Sequence, residues 1–308
     1  MSRILGYALL FVLGAVVVLR WTGLGRVTPL VQATMLVPYL AVVSLIATLV
    51  LFGVQRRGLG AWALVITVAY ALALLPRWAV EPSPRPAGTQ VRVMTVNLHN
   101  GEADARSLVR RVAEQEPDLL SVQELTGAEA TRLGRAGLGR YLPYHVLRTA
   151  PKSSGTGLYA RTPLSAGRGL SSRSTYDLAR AEMQVGSRTL DVVAVHARPP
   201  LLGQSTPDWY RDLRLLPDPG EPSVQLLAGD FNGTDDQQGF REVLHHGYQD
   251  AAISVGRGLK PTWHRFPVPP VTIDHVLAES PLTPVTVRTY EVLDANHRAL
   301  VADLVLKN

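Results

Sequence analysis

No cysteine occurs in the 308 residues, so disulfides are excluded in any compartment and the redox setting stays open. Acidic residues are missing from the first 80 positions, whose only charged side chains are Arg3, Arg20, Arg26, Arg56, Arg57 and Arg77. The whole chain carries 31 Lys+Arg and 25 Asp+Glu, so removing those six arginines leaves 25 of each sign over residues 81–308. A formally neutral C-terminal part argues against the basic face that nucleic-acid binding requires. Internal repeats, low-complexity tracts and dense basic runs are also missing.

What the first part does have is apolar length. Ile4–Leu19, Leu30–Val54 and Leu59–Leu75 are predicted as three transmembrane helices, since a span needs roughly 20 apolar residues. The first and third reach that length when extended through Trp21 and Trp78, which sit at the ends with Trp62 as interfacial anchors. A signal peptide is the alternative for the first stretch, but no small-x-small cleavage site follows it. Three spans put Arg3 and the Gln55-Arg56-Arg57 loop together on the cytoplasmic side and residues 81–308 outside, against a weak opposing bias from Arg20, Arg26 and Arg77. The expectation is a multi-pass protein of the cell membrane: residues 1–80 in the bilayer, a semi-rigid Pro-rich linker at 81–90, and one domain over 91–308.

That domain reads as many short strands with few helices, hence packed sheets with helices outside. Strands are predicted at Val91–Val96, Leu119–Val122, Gly155–Ala160, Leu190–Val195, Val224–Ala228, Val271–Leu277, Val285–Val287 and Ala299–Leu306. Helical spacing of Ala105, Leu108, Val109 and Val112 predicts a helix closed by Pro117. Four polar residues each end an apolar strand: Asn97, Glu124, His196 and Asp230. Strand ends are where a rigid sheet positions chemistry.

In Gly229-Asp230-Phe231-Asn232, the glycine is expected to let the backbone approach a ligand, and Asp230 and Asn232 lie one strand period apart. An Asx turn closing the strand is the plainer alternative. Glu124 beside Asp230, Asn97 and Asn232 makes an oxygen-rich set suited to Mg²⁺ rather than structural Zn²⁺. Asp274 interrupts an apolar strand, a costly place for a carboxylate unless it is paired. His297 is the expected partner, oriented for acid–base work as in a triad, and His196 is the second histidine at a strand boundary.

Read together, Met94–Asn97, Pro117–Glu124, Gly155–Arg161, Val193–His196, Gly229–Asn232, Ile273–His275 and Asn296–Arg298 resemble, in order, the endonuclease/exonuclease/phosphatase superfamily. The resemblance implies a DNase I-like four-layered α/β-sandwich and metal-assisted hydrolysis at phosphorus. It implies that Glu124 and Asn97 hold Mg²⁺, with Mn²⁺ as a substitute, and that Asp230 and Asn232 orient the attacking water and a phosphate oxygen. His297, steered by Asp274, becomes the general base, and His196 donates to the developing charge. One departure stands out: Asn296 replaces the family's Asp before the final His, an amide whose oxygen still suits Mg²⁺.

Three spans before such a domain are similar to membrane phosphatases of the VanJ type. That implies a phosphate ester or lipid-linked pyrophosphate, such as undecaprenyl diphosphate, hydrolysed at the outer membrane face. The lipid bilayer and a phosphorylated lipid are then the expected partners, with no obligate protein partner. Leu201, Leu202, Trp209 and Tyr210 in the 198–223 loop are expected either to dip into lipid or to pack as loop. Two alternatives compete: a membrane-tethered nuclease, its surface supplied by Arg161, Arg173, Arg180 and Arg198, and a non-catalytic ligand-binding protein in which Asn296 marks decay.

Overall fold

The computed structural model describes residues 3–80, 86–167, 174–201, 205–220 and 222–307. Half of the expected linker, residues 81–85, lies outside them, as do Arg173 and Leu202. The N-terminal part folds as helices α1 (Arg3–Thr22), α2 (Leu30–Met35), α3 (Val37–Gly53) and α4 (Arg57–Leu74), the last running into a 3₁₀ turn at Leu75–Arg77.

Two of the three expected spans keep spanning length. Pro38 lacks an N–H and belongs in a first helical turn, so Leu30–Val54 breaks into α2 and α3. The remaining 17 residues of α3 reach about 26 Å, short of the roughly 30 Å hydrocarbon core. Ile4–Thr22 and Arg57–Arg77 are long and apolar enough to cross a membrane, and only 28% and 22% of their apolar windows are buried. A helix in a soluble core would be mostly buried; here Phe11, Trp62 and Leu72 point outward at 77%, 67% and 57% exposure. Between the helices, Thr67 bonds Ser44 and Thr48, and the Tyr70 hydroxyl donates to the Leu13 carbonyl at 2.8 Å, the interhelical polar contacts that hold apolar helices together.

The domain contains two mixed six-stranded sheets. The first has the order β13-β14-β1-β2-β4-β3, comprising β1 (Thr89–Asn97), β2 (Leu119–Gln123), β3 (Tyr144–Arg148), β4 (Thr156–Ala160), β13 (Leu282–Tyr290) and β14 (Ala299–Leu306). The second has the order β5-β6-β7-β8-β12-β9, comprising β5 (Leu164–Ala166), β6 (Arg180–Val185), β7 (Arg188–His196), β8 (Val224–Asp230), β9 (Tyr248–Asp250) and β12 (Asp274–Glu279). Strands β10 (Trp263–Arg265) and β11 (Val268–Val271) form a separate hairpin. The predicted strand Val271–Leu277 is therefore two: its first residue ends β11, and Thr262 turns the chain by accepting the Ile273 and Asp274 N–H groups.

One apolar core fills the space between the sheets, including Val93, Leu119, Val192, Leu226 and Val276. A second lies between the first sheet and α5 (Ala105–Gln115) and α6 (Gly127–Arg135). A third lies between the second sheet and α7 (Ser205–Arg214) and α8 (Gln238–His245). The order helix, sheet, sheet, helix gives four layers, and short α9 (Ala251–Ser254) follows β9.

Trp209 and Tyr210 belong to the third core at 0% and 6% exposure, which overturns their expected role in lipid. An amphipathic helix turns both inward, and Trp209 Nε1 donates to the Phe231 carbonyl at 2.9 Å. Leu201 is 62% exposed. Val31 of α2 packs into the same core, so the helical region and the domain share buried surface.

Candidate active site

Side chains on a strand alternate between faces, so each inner-facing row can be followed to its end. In β1 the row Val91, Val93 continues as Thr95 and Asn97; in β2, Leu119 continues as Ser121 and Gln123. In β7 and β8 the apolar rows end in His196 and Asp230, and in antiparallel β12 the row Ala278, Val276 ends in Asp274. The intersheet core thus turns from apolar to polar at one end, with all seven polar side chains at most 1% exposed.

Register brings them together. His196 pairs with Asp230 across β7–β8, and Asp230 with Asp274 across β8–β12, while Asn97 pairs with Gln123 in the facing sheet. Gly229 is needed for this ladder: a Cβ there would lie 1.9 Å from the Val195 carbonyl oxygen of β7.

Alternation would send the residue after Gln123 outward, but Glu124 adopts a left-handed φ of 58°. Its carboxylate turns inward and accepts the Asn97 amide at 3.1 Å and the Asn100 N–H. The same amide nitrogen donates to Asp230 at 3.0 Å, while Asn97 Oδ1 accepts the His99 N–H at 2.9 Å. Asn97 therefore presents its NH₂ group to two carboxylates and aligns them. Asn232 is not on the strand. With φ at 46° its N–H donates to Asp230 at 2.8 Å, an Asx turn, and its amide donates to the Ala197 carbonyl at 3.0 Å. Left-handed, non-glycine residues at two such positions are strain of the kind found at working sites.

Asp274 receives the Nδ1 edge of His297 at 2.9 Å, and His297 Nε2 lies 3.8 Å from Asp230. Burial works against the imidazolium, but the Asp274 and Asp230 carboxylates outweigh it and raise the His297 pKa to about 9. His196 is the opposite case: burial, then the nearby His297, lowers its pKa to about 3, leaving a neutral ring. Its Nε2 lies 3.9 Å from carboxylate oxygens of both Glu124 and Asp230, with Tyr176 stacked at 4.6 Å. Burial and then the Asp274 charge hold the Asp230 carboxyl above the usual range, with His297 and the Asn97 and Asn232 bonds opposing.

The residues fit a hard divalent cation. Three carboxylates are crowded together with one imidazolium as counter-charge, and the Asn296 Oδ1 atom is buried without a hydrogen bond. Among carboxylates and histidines, Asp230, Asp274 and His297 bring ligand atoms within 4.8 Å of one another, and Glu124 lies across the Asn97 amide from Asp230. Oxygen donors of this kind suit Mg²⁺ or Mn²⁺.

Several contributors were not singled out from the sequence. Thr95, Ser121 and Gln123 form a buried network, in which Ser121 Oγ reaches the Ala228 carbonyl of the facing sheet at 2.8 Å. Counting back by two from Asn97 and along β2 would have found them. The Asn100–Gly101 turn signal marks the loop whose amide holds Glu124; nothing in the sequence marks Tyr176. Of the arginines proposed for a nuclease surface, Arg161, Arg180 and Arg198 are paired with Asp118, Asp191 and Asp208.

The profile of the Endonuclease/Exonuclease/phosphatase family matches residues 94–297, a span holding every polar residue of the site. None of the curated proteins matches the chain significantly. Among solved structures, an endonuclease/exonuclease/phosphatase from Beutenbergia cavernae is 19% identical, with a TM-score of 0.57, covering 71% of this chain and 72% of that one. D. rerio TDP2 humanized by 14 mutations is 19% identical at a TM-score of 0.60, covering 70% and 98%. Sphingomyelinase C from Streptomyces griseocarneus is 16% identical at 0.50, covering 71% and 99%. These likenesses concern the fold.

Proposed function

The chain belongs to the endonuclease/exonuclease/phosphatase family and is a phosphoester hydrolase; from that premise we propose that it is membrane-anchored, Mg²⁺-dependent and directed at a lipid-linked phosphate or pyrophosphate. The observation that carries the lipid reading is the junction between helices and domain. Arg20 at the end of α1 and Arg77 after α4 reach Asp235 and Asp236, at 2.9 Å for Arg20–Asp236 and for Arg77–Asp235. Asp235 follows Asp230 by five residues, which span at most about 18 Å. The site therefore lies close to the ends of two lipid-compatible helices, where a substrate anchored in a bilayer presents its headgroup.

The same contacts bear on orientation. Arg20, Arg26 and Arg77 pair with Asp235, Asp236 and Glu242, so they do not act as free loop charges. Arg56 and Arg57 stand between α3 and α4, at the end away from the domain, with no ion-pair partner among the described residues. The positive-inside tendency then favours a cytoplasmic Arg56–Arg57 end and an extracytoplasmic domain, with the shorter apolar helix α3 carrying the chain back between α1 and α4.

In this reading Glu124, Asp230 and the Asn296 amide oxygen would hold Mg²⁺, which supplies charge neutralisation on the transferring phosphoryl group. Asn97 keeps the two carboxylates aligned. Asp230 and Asn232 orient water and a phosphate oxygen. Neutral His196 donates a hydrogen bond to the charge that develops at phosphorus. His297, fixed by Asp274, takes the water's proton at Nε2; it reaches the neutral form this needs once the Asp230 charge is compensated.

The test is phosphate release by the full chain in detergent, with Mg²⁺ or EDTA, on a polyprenyl pyrophosphate and on DNA. Release from the lipid that needs Mg²⁺ and collapses in Glu124→Ala is expected. Turnover of DNA alone, or release unaffected by Glu124→Ala, defeats the proposal.

A further inference from the structure

Apolar residues that a soluble domain leaves in water need a reason when they cluster. Outside the helical region, Phe266 is 97% exposed and Val268 47% exposed, both at the turn of the β10–β11 hairpin. A phenylalanine fully in water forgoes roughly 1.5–3 kcal/mol of burial. The flanking residues are cationic or neutral: Lys260, His264 and Arg265 precede the turn, and Pro267, Pro269 and Pro270 sit within it and after it.

The hairpin's position gives this tip a partner. At its base the Pro270 carbonyl accepts the hydroxyl of Tyr39, in the first turn of α3, at 2.6 Å. Phe266 is four residues from Pro270, so it lies within about 14 Å of that contact. A second exposed apolar residue, Leu201, meets the helical region in the same way: its carbonyl accepts the Thr28 hydroxyl at 3.4 Å. Phe266, Val268 and Leu201 thus stand on segments tied to the helical region, whose ends expose Trp21, Leu24, Val27 and Trp78 at 57%, 69%, 59% and 61%. Aromatic and cationic residues together are the composition of a membrane–water interface.

The other edge of the hairpin belongs to the active site. Trp263 bridges His297, the His264 N–H donates to the Asn296 carbonyl at 3.2 Å, and the Arg298 N–H donates to Thr262 at 2.7 Å. We infer that the β10–β11 hairpin is seated in the bilayer interface, with Phe266 and Val268 among the acyl chains and Arg265 at the headgroup phosphates, so that the His297 end of the site faces the lipid surface. This rests on the membrane reading above and extends it, because the hairpin becomes the domain's own lipid contact and the edge over which a lipid phosphate enters.

The missing cysteine makes the test clean. A nitroxide placed by Phe266→Cys is the only label in the full chain, reconstituted into phosphatidylcholine–phosphatidylglycerol vesicles. Collision with oxygen is expected to exceed collision with a water-soluble nickel chelate, while a control label at Tyr144→Cys, on β3, shows the reverse. Chelate access at position 266 equal to the control overturns the proposal. This readout needs no turnover, so it stands apart from failure of the phosphohydrolase reading. In parallel, Phe266→Ser is expected to raise KM for a bilayer-embedded phospholipid substrate at least about tenfold, leaving kcat and the hydrolysis of a water-soluble phosphate ester unchanged. An equal effect on both substrates, or none on either, overturns the entry role.

Discussion

Replacing Arg77 by methionine tests whether helices and catalytic domain form one folded unit. Asp236 accepts from Arg77 twice, one bond at 2.8 Å, and from Arg20 Nε at 2.9 Å. The Arg77 and Asp236 side chains are 4% and 1% exposed, so solvent cannot take over when one partner is lost. Breaking a buried pair from one side costs about 3–5 kcal/mol, because the remaining charge stays buried. For a domain of this size that lowers Tm by roughly 6–20 °C. The double variant Arg77→Met/Asp236→Leu is expected to recover most of the loss, since an apolar pair of similar volume replaces the ionic one and Arg20 keeps Asp235. Thermal unfolding of the full chain in detergent, followed by near-UV circular dichroism, reads both. A shift below about 2 °C for the single variant, or no recovery in the double, would refute the argument that this junction is dry and structural.

Two further perturbations address the site itself. Asp274→Asn is expected to lower kcat by about 10²–10⁴ by releasing the His297 ring. It also carries a pH signature: His297 is raised from 6.5 to about 9 in the folded protein. The resulting stabilisation, about 3 kcal/mol, is complete below pH 6.5 and lost as pH rises through 9. Tm in EDTA should fall across that window in the wild type and stay flat in the variant; parallel curves would remove His297 as the source. Gly229→Ala forces a methyl against the Val195 carbonyl, where only backbone can yield, and is expected to cost at least about 2 kcal/mol and to disturb the His196–Asp230 register. Gly139→Ala, with nothing within 4 Å, is the neutral control for denaturant unfolding.

The strands that carry the site were legible because buried central strands leave continuous apolar runs. Val91–Val96, Leu190–Val195 and Val224–Ala228 all lie inside observed strands, and the polar residue that stops each run is the one the sheet delivers to the site. The edge strands β3, β5 and β9 were not read, since a strand with one solvated face and three to five residues leaves little pattern. Orientation was harder than location. The strand period placed Asn232 beside Asp230, but a left-handed residue reset the alternation, and the same reset at Glu124 brings in a side chain that the period would have expelled. The helices failed on a single residue, Pro38, whose effect on span length needed the backbone to be seen. Arg20 and Arg77 misled most: read as loop charges, they weakened the topology, and in the fold they are buried partners of aspartates more than 150 positions away.

Those aspartates tie the site to the helices through a short segment with no slack. Asp230 is fixed in the ladder between β7 and β12. Three residues later the Gly233 carbonyl bonds His275 Nε2 at 2.9 Å, and His275 Nδ1 is held by Asp250 at 2.5 Å. Asp250 in turn caps α9 through the Ala252 and Ile253 N–H groups. Gln237 donates to the Val31 carbonyl of α2 at 3.1 Å, and Asp235 and Asp236 are gripped by the arginines. Asp230 and Gly233 are therefore anchored to the second sheet, and Asp235, Asp236 and Gln237 to the N-terminal helical region. Displacement of the helices has no loop in which to dissipate before it reaches Asp230 and Asn232. It follows that the N-terminal helices act as part of the scaffold that sets the Asp230 carboxylate and the Asn232 turn.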